Sequence, residues 1–244
     1  MKYELILSWK NPKDNMWIPV GRLIFEGNHY AFYYTYGAKN INNFKPFEKM
    51  DDISKTYESE ELFPLFKNRL LQKSRPEYGE YLEWLDMSEK EMHPMEELSL
   101  TGGVRATDSL QLFPLPVKSN GEYKVKFFTH GMRYLASHYR IRASKLKEGD
   151  TLYLMKDIQN EYDEDALVLR TEDPHEIIGY CPKNYVKDFN FLIDRNRIGD
   201  VSIKVVKNNV NAPSQLRLLC EFRTKWIDGF IPSEHKDFQK ITTL

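Results

Sequence analysis

The segment "NEYDEDALVL", residues 160–169, joins an acidic turn directly to an apolar strand. Asn160, Tyr162 and Asp163 lie where a hairpin should bend, and the residues from Ala166 onward begin a run that we expect to be buried. Carboxylates beside an aromatic ring could be metal ligands, an acid/base pair or turn residues whose side chains bond the nearby backbone. The segment alone does not distinguish these three roles, so the surrounding sequence is needed.

Short strands dominate the chain on both sides of this segment. Runs of seven to nine residues rich in β-formers recur between Gly, Asp and Asn breaks: YKVKFFTHG, TLYLMKD, ALVLRTE, VSIKVVK and QLRLLCEF. One helical pattern, Lys183 to Ile193, interrupts them. Five or six short strands with one helix predict a small, partly open β-barrel rather than a parallel α/β sheet.

The first half of the chain predicts a separate α+β domain. Residues 3–9, 17–26 and 29–36 indicate a three-strand antiparallel meander, and "TGGVRATDSLQLFPLP", residues 101–116, indicates a glycine loop and a last strand before an exit linker. Two helices between them place apolar residues at helical spacing: Leu62, Phe66, Leu70 and Leu71, then Tyr78, Tyr81, Leu82 and Leu85. Pro76 is well placed to start the second helix.

The predicted fold class is therefore α+β with two domains. An antiparallel sheet with helices occupies residues 1–117, and a β-barrel with one helix occupies residues 118–244. The charge differs between these parts: residues 1–117 have a net charge of −4 and residues 118–244 a net charge of +3. A total net charge of −1 argues against a protein that coats nucleic acid by charge alone, so a phosphate contact is expected in the second half.

Several functional classes are disfavoured by what the sequence lacks. It has no GxxxxGK[ST], GxSxG or HExxH motif, and its six histidines are scattered. The acidic turn lacks the glycine and distal glutamate of a calcium loop. The two cysteines suggest neither a disulfide framework nor a zinc site, and no segment reads as a signal peptide or membrane span. We expect a cytoplasmic, non-enzymatic protein without a cofactor or metal.

Two polar motifs remain, "HGMRYL" at 130–135 and "NEYDEDA" at 160–166, each beside a strand. Arginine meets phosphate with a forked donor set, and tyrosine rings stack on bases at roughly 1 to 3 kcal/mol each. A carboxylate repels phosphate, but it accepts a charge-assisted hydrogen bond of roughly 1.5 to 3 kcal/mol from a terminal hydroxyl. Together these residue types suit a site that binds the end of a nucleic acid. Each of them can also be explained structurally, as a turn residue, a residue at the rim of the barrel or a core residue.

Residues from about 124 to 195 resemble the HIRAN domain, a family found beside helicase-like remodelling and DNA-repair ATPases. The segments "FFTHGMRYL", "EGDTLYLMKD", "NEYDEDALVL" and "IIGYCPKNYV" fall in the family's order and spacing. The resemblance implies an OB-like β-barrel that captures the 3′ end of single-stranded DNA. A protein with this activity would suit DNA repair, stress response or defence against invading DNA.

The resemblance also implies roles for individual residues. Arg133 and Tyr134 resemble the family's phosphate and base contacts. Asn160 and Tyr162 resemble its base-pocket residues, and Asp163 resembles its contact to the terminal hydroxyl.

Two further positions come from the strand and helix that follow. Lys183 resembles the family's phosphate contact, and Tyr180 stands where some members carry a histidine that bonds phosphate. A later aromatic that stacks on DNA has no clear counterpart, and Phe222 and Trp226 are candidates.

The first half is similar to the N-terminal subdomain of HipA-like toxin kinases. The residues responsible are "VGRLIFEGNHYAFYYTYGA", "ELFPLFKNRLL" and "TGGVRATDSLQLFP". The kinase core of that family is absent, so no catalytic residue is carried over. The resemblance implies a partner-docking module whose partner is a protein such as a HipA-like kinase. The alternative function is an interaction module or antitoxin-like regulator that does not bind DNA.

Overall fold

Two antiparallel sheets, each with its own core, organise the chain in the computed structural model, which describes residues 2–90 and 92–242. The described residues pack as two units. The N-terminal unit comprises 2–78, 92–115 and 231–242, and the barrel unit comprises 79–90 and 116–230. The domain limits 1–117 and 118–244 stay a prediction. Residues 79–90 pack with the barrel unit and residues 231–242 pack with the N-terminal unit, so both segments lie on the other side of that limit.

A five-stranded antiparallel sheet forms the N-terminal unit, in the order β4-β3-β2-β1-β5. The strands are β1 (Lys2–Lys10), β2 (Trp17–Glu26), β3 (His29–Tyr34), β4 (Thr56–Ser59) and β5 (Leu110–Pro114). The predicted meander is confirmed as β1 to β3, and the predicted last strand is β5. Apolar side chains of this sheet, including Leu5, Leu23, Phe32 and Leu112, are fully buried in one cluster.

The helices of the first half are shorter than their apolar spacing predicts. They are α1 (Tyr36–Asn40), α2 (Pro64–Lys67), α3 (Tyr78–Trp84) and α4 (Pro94–Thr101), of which α1 and α4 are not among the predicted elements. Leu62 and Phe66 are buried as expected. Helix α2 ends at Lys67, and just beyond it the buried Arg69 side chain donates to the Gly103 carbonyl and pairs with Asp108.

The barrel unit contains a six-stranded sheet in the order β6-β11-β10-β7-β8-β9. Its strands are β6 (Glu122–Phe128), β7 (Thr151–Lys156), β8 (Leu167–Arg170), β9 (Ile177–Tyr180), β10 (Ser202–Asn208) and β11 (Leu218–Lys225). The sheet curls until its two edges meet. There the backbone N–H groups of His130 and Tyr180 each donate to the other's carbonyl at 2.9 Å. The α+β class and the OB-like, partly open barrel are thereby confirmed.

Two helices pack on this sheet, α5 (Ser137–Ser144) and α6 (Lys183–Arg195). Helix α6 confirms the predicted helix at 183–193, whereas α5 is not predicted. Phe189 of α6 stacks on Phe222 with ring centroids 4.0 Å apart, and both rings are fully buried. Phe222 is therefore core and unavailable to a base, and Trp226 packs against Tyr123 and Phe230. In residues 2–90 and 92–242, no helix has the length and apolarity that crossing a bilayer requires.

His93 makes the N-terminal unit sensitive to acid. Its Nδ1 accepts the Met95 N–H at 3.2 Å and caps α4, while its ring stacks on Tyr3 at 4.7 Å. Burial lowers the pKa of His93, so the folded state favours the neutral ring. Protonation removes the capping lone pair, and this stabilisation is therefore present above pH 6.5 and lost as the pH falls through the lowered folded pKa.

We expect the Asn substitution of His93 to abolish this acid sensitivity, because Asn caps a helix without titrating. Urea unfolding between pH 7.5 and 5.0 should show wild type losing more stability than His93→Asn. The exposed His175 provides the control, since His175→Asn should follow wild type. Parallel pH dependence in wild type and His93→Asn would contradict the assignment.

Candidate nucleic-acid interface

Tyr180 connects the two polar motifs of the barrel unit. It ends β9, and its ring lies against the backbone of Gly131, where an added Cβ would come within 2.9 Å of Tyr180 Cδ2. Gly131 also has a φ of +75°, a conformation that side chains rarely adopt. The close approach therefore requires glycine, and it fixes the start of "MRYL" beside the end of β9.

Arg133 and Tyr134 point outward from a short 3₁₀ turn, Met132–Tyr134. Met132 is buried and anchors this turn to the barrel. The Arg133 guanidinium lies over the Tyr134 ring, 4.6 Å from its centroid, and donates to the Tyr134 hydroxyl. Tyr134 is 76% exposed. An aromatic face and a guanidinium are thus presented together to solvent.

The acidic turn between β7 and β8 is held by Asn160. Its Oδ1 accepts the N–H groups of Tyr162 and Asp163, each at 3.0 Å, and its Nδ2 donates to Asp157 at 3.1 Å. These bonds are the turn chemistry that the sequence suggests for asparagine. They leave the Tyr162 side chain 89% exposed at the tip of the turn.

Asp163 and Lys183 place opposite charges next to each other. One carboxylate oxygen of Asp163 accepts the Asp165 N–H at 3.2 Å, and the other lies 3.9 Å from Lys183 Nζ. The Lys183 side chain remains 43% exposed at the first turn of α6, whereas Asp163 is 18% exposed. The pair offers an anionic acceptor and a cationic donor side by side.

The Tyr180 hydroxyl points at the acidic turn and donates to Asp157 Oδ2 at 2.9 Å. Burial raises the pKa of Tyr180, and the hydrogen bond to Asp157 and its charge raise it further. The hydroxyl therefore keeps its proton at neutral pH. Asp157 consequently receives two donors, from Tyr180 and Asn160, and ties the end of β9 to the turn.

The structure thus joins Tyr180, Asn160, Tyr162 and Asp163 through Asp157 and the turn backbone, and Lys183 through its pair with Asp163. Arg133 and Tyr134 connect to this set by way of Gly131. Within residues 2–90 and 92–242, no hydrogen bond or ion pair links Arg133 or Tyr134 directly to Asp163 or Lys183. The same described residues contain no cluster of three or more His, Cys, Asp or Glu side chains that could hold a metal ion.

Sequence reasoning missed two residues that position this site. Asp157 is not among the site residues predicted from the sequence, although its spacing of three from Asn160 is typical of a side-chain bond across a turn. Gly131 is not among the predicted site residues either. Its need for glycine arises from the Tyr180 ring, which is 49 positions further along the chain.

A curled antiparallel sheet, with polar and aromatic side chains on the loops at its closing edge, defines the class of this unit as an OB-like barrel fold. The family model described as the HIRAN domain matches residues 123–226, all of which lie in the barrel unit. No curated protein matches the chain.

Two solved structures are similar to part of the chain. One is a protein from Lactobacillus plantarum, with 19% identity and a TM-score of 0.33, covering 43% of this chain and 97% of that one. The other is the HIRAN domain of human HLTF, with 17% identity and a TM-score of 0.32, covering 44% of this chain and 84% of that one.

We predict that Asn160 controls the order of the acidic turn. Asn160→Ala removes the acceptor of two N–H groups and should lower the free energy of unfolding by about 1–2 kcal/mol. Amide hydrogen exchange at Tyr162 and Asp163, followed by NMR, should accelerate. Asn160→Asp keeps the acceptors but brings a second carboxylate to Asp157, so its effect should be smaller. The exposed neighbour Gln159 provides the control, and equal exchange in Gln159→Ala and Asn160→Ala would refute the prediction.

Proposed function

We propose that this protein is a nucleic-acid-binding protein whose barrel unit captures single-stranded DNA at its 3′-hydroxyl end. The observation that carries the proposal is the contact of Tyr180 with both polar motifs, through the Gly131 backbone on one side and Asp157 on the other. The HIRAN match over residues 123–226 supports the same function, because HIRAN domains bind single-stranded DNA. We propose a binding role and assign no catalytic step.

Two exposed tyrosines would contact the bases. Tyr134 and Tyr162 are mostly solvent-exposed in a barrel whose other aromatics are largely buried, and every base has a face on which a tyrosine can stack. Arg133 lies over Tyr134 and would bind phosphate with its free N–H groups. Lys183 would contribute the second phosphate contact.

Asp163 would read the terminal hydroxyl. Its Oδ2 faces Lys183 at 3.9 Å, a distance that leaves the oxygen able to accept a further hydrogen bond. A 3′ hydroxyl can donate such a bond, whereas a 3′ phosphate would bring like charge against the carboxylate. The negative charge of Asp163 would therefore make the site prefer a 3′ hydroxyl to a 3′ phosphate.

Tyr180 and Asn160 would act differently from the contacts that the family resemblance implies. The Tyr180 hydroxyl already donates to Asp157, and the Asn160 side chain already forms three bonds in the turn. We propose that both residues chiefly position their neighbours, and that Asn160 adds a base contact.

The N-terminal unit is proposed to dock a protein partner such as a HipA-like kinase, on the strength of the motifs around "VGRLIFEGNHYAFYYTYGA". Repair, stress response or defence remains the proposed setting. Gel filtration of the full chain with a purified HipA-like kinase tests this part. Separate elution at micromolar concentrations would reject the partner while leaving the DNA proposal intact.

The end-reading proposal is tested with short single strands that end in a 3′ hydroxyl or a 3′ phosphate. We expect the wild type to prefer the hydroxyl by fluorescence anisotropy. Asp163→Asn retains an acceptor for the Asp165 N–H but loses the charge, and should reduce this preference by about tenfold to a hundredfold. Lys183→Ala should weaken binding to both strands.

Glu164→Gln is the matched control, since Glu164 is an exposed neighbour in the same turn and undergoes the same change of charge. It should leave the preference unchanged. Absence of binding to either strand at low salt would reject DNA binding. Binding without an end preference would reject only the hydroxyl contact.

A further inference from the structure

A basic segment that contains no carboxylate begins at Arg133 and includes helix α5. Residues 133–147 contain five cations, Arg133, Arg140, Arg142, Lys145 and Lys147, and no Asp or Glu. Helix α5 starts only three residues after Tyr134. The segment thus continues directly from the proposed end site.

Contacts at the two ends of β9 give the direction of this helix. Tyr180, at the end of β9, packs on Gly131, shortly before α5 begins. Arg142, in the last turn of α5, pairs with Glu176 at 3.5 Å and donates to the Asp173 carbonyl, both just before β9 starts. Helix α5 therefore runs antiparallel to β9 and leads away from the proposed site.

The helix buries one face and exposes another. Ala143 is buried, and Asn208 Nδ2 donates to its carbonyl, which fixes that face to the barrel. Arg140 and Lys145 are exposed, and Ile141 between them is 55% exposed. Across residues 2–90 and 92–242, no carboxylate forms an ion pair with Arg140 or Lys145. Arg142, by contrast, is neutralised by Glu176.

We propose that the exposed face of α5 and its C-cap, formed by Arg140, Ile141 and Lys145, binds the phosphates of the nucleotides that precede the captured 3′ end. The inference rests on the proposed function of the same barrel unit and extends it to a footprint of several nucleotides. Ile141 supplies an apolar surface between the two cations, against which a sugar or base can pack.

The dimensions of the helix suit a single strand. The five steps from Arg140 to Lys145 rise about 7.5 Å along the helix axis, and stacked nucleotides place a phosphate about every 3.4 Å along one strand. This face therefore spans about two nucleotides beyond the end site. An acidic protein segment is the competing occupant, and it differs from DNA in having no 3′ end to place in the neighbouring site.

The test measures how affinity depends on strand length and on salt. Fluorescence anisotropy compares oligothymidylates of four and nine nucleotides, each labelled at the 5′ end and ending in a 3′ hydroxyl. Wild type should bind the longer strand more tightly. Arg140→Ala should lose about fivefold affinity for the nine-nucleotide strand and little for the four-nucleotide strand. The slope of log K against log salt should shrink by about 0.7.

Arg197→Ala is the matched control, because Arg197 is an exposed arginine beyond the far end of α6 from Lys183. It should behave as wild type. If Arg140→Ala keeps the wild-type length dependence and salt slope while the 3′-hydroxyl preference persists, the inference about α5 is wrong and the end site stands. If wild type binds neither strand, both fail. Wild-type binding to polyglutamate as tight as to DNA, lost in Arg140→Ala, would also overturn the inference.

Discussion

The hydrogen bond from the Tyr180 hydroxyl to Asp157 is the interaction on which the rest of the proposed interface depends. Tyr180 is also half of the backbone bridge at which the barrel edges meet, so one residue closes the sheet and orients the acidic turn. Its ring additionally demands glycine at position 131, which sets the starting point of the turn that carries Arg133 and Tyr134. The contacts of Tyr180 therefore both close the barrel and set the geometry of the proposed site.

The acidic turn combines structural and ligand-facing roles by dividing them among its side chains. The Asn160 side chain forms three hydrogen bonds within the turn, and Asp157 Oδ2 accepts from both Asn160 and Tyr180. Tyr162 is left free at the tip, and Asp163 divides its two oxygens between the Asp165 N–H and the vicinity of Lys183. Turn chemistry and ligand contact were alternatives in the sequence, but the geometry makes them complementary: the first group holds the second in place.

Much of the fold could be predicted from the sequence because alternation and turn residues are local signals. The meander at 2–34, the barrel strands other than β9, and helix α6 were predictable in this way. Helix α5 was not, since Ala143 is its one buried residue and the segment shows no apolar periodicity. The site was predicted only in part. The residue types in "HGMRYL" and "NEYDEDA" are visible in the sequence, whereas the Tyr180–Gly131 contact and the hub at Asp157 arise from tertiary packing. Family resemblance supplied the roles of individual residues, which the geometry supports unequally.

The last described residues of the chain return to the N-terminal unit. The Gln239 carbonyl accepts the Tyr36 N–H, the Phe238 carbonyl accepts from Arg22 Nε, and Ile241 is buried in the core of the N-terminal unit. The barrel unit is therefore nested within the other unit along the chain instead of following it. A fragment cut after the barrel would remove part of the first core, and a fragment starting at residue 118 would lack 79–90, which pack with the barrel. Any dissection of this protein into independently expressed halves must respect this interleaving, or the loss of a function will report unfolding instead of the removal of a binding surface.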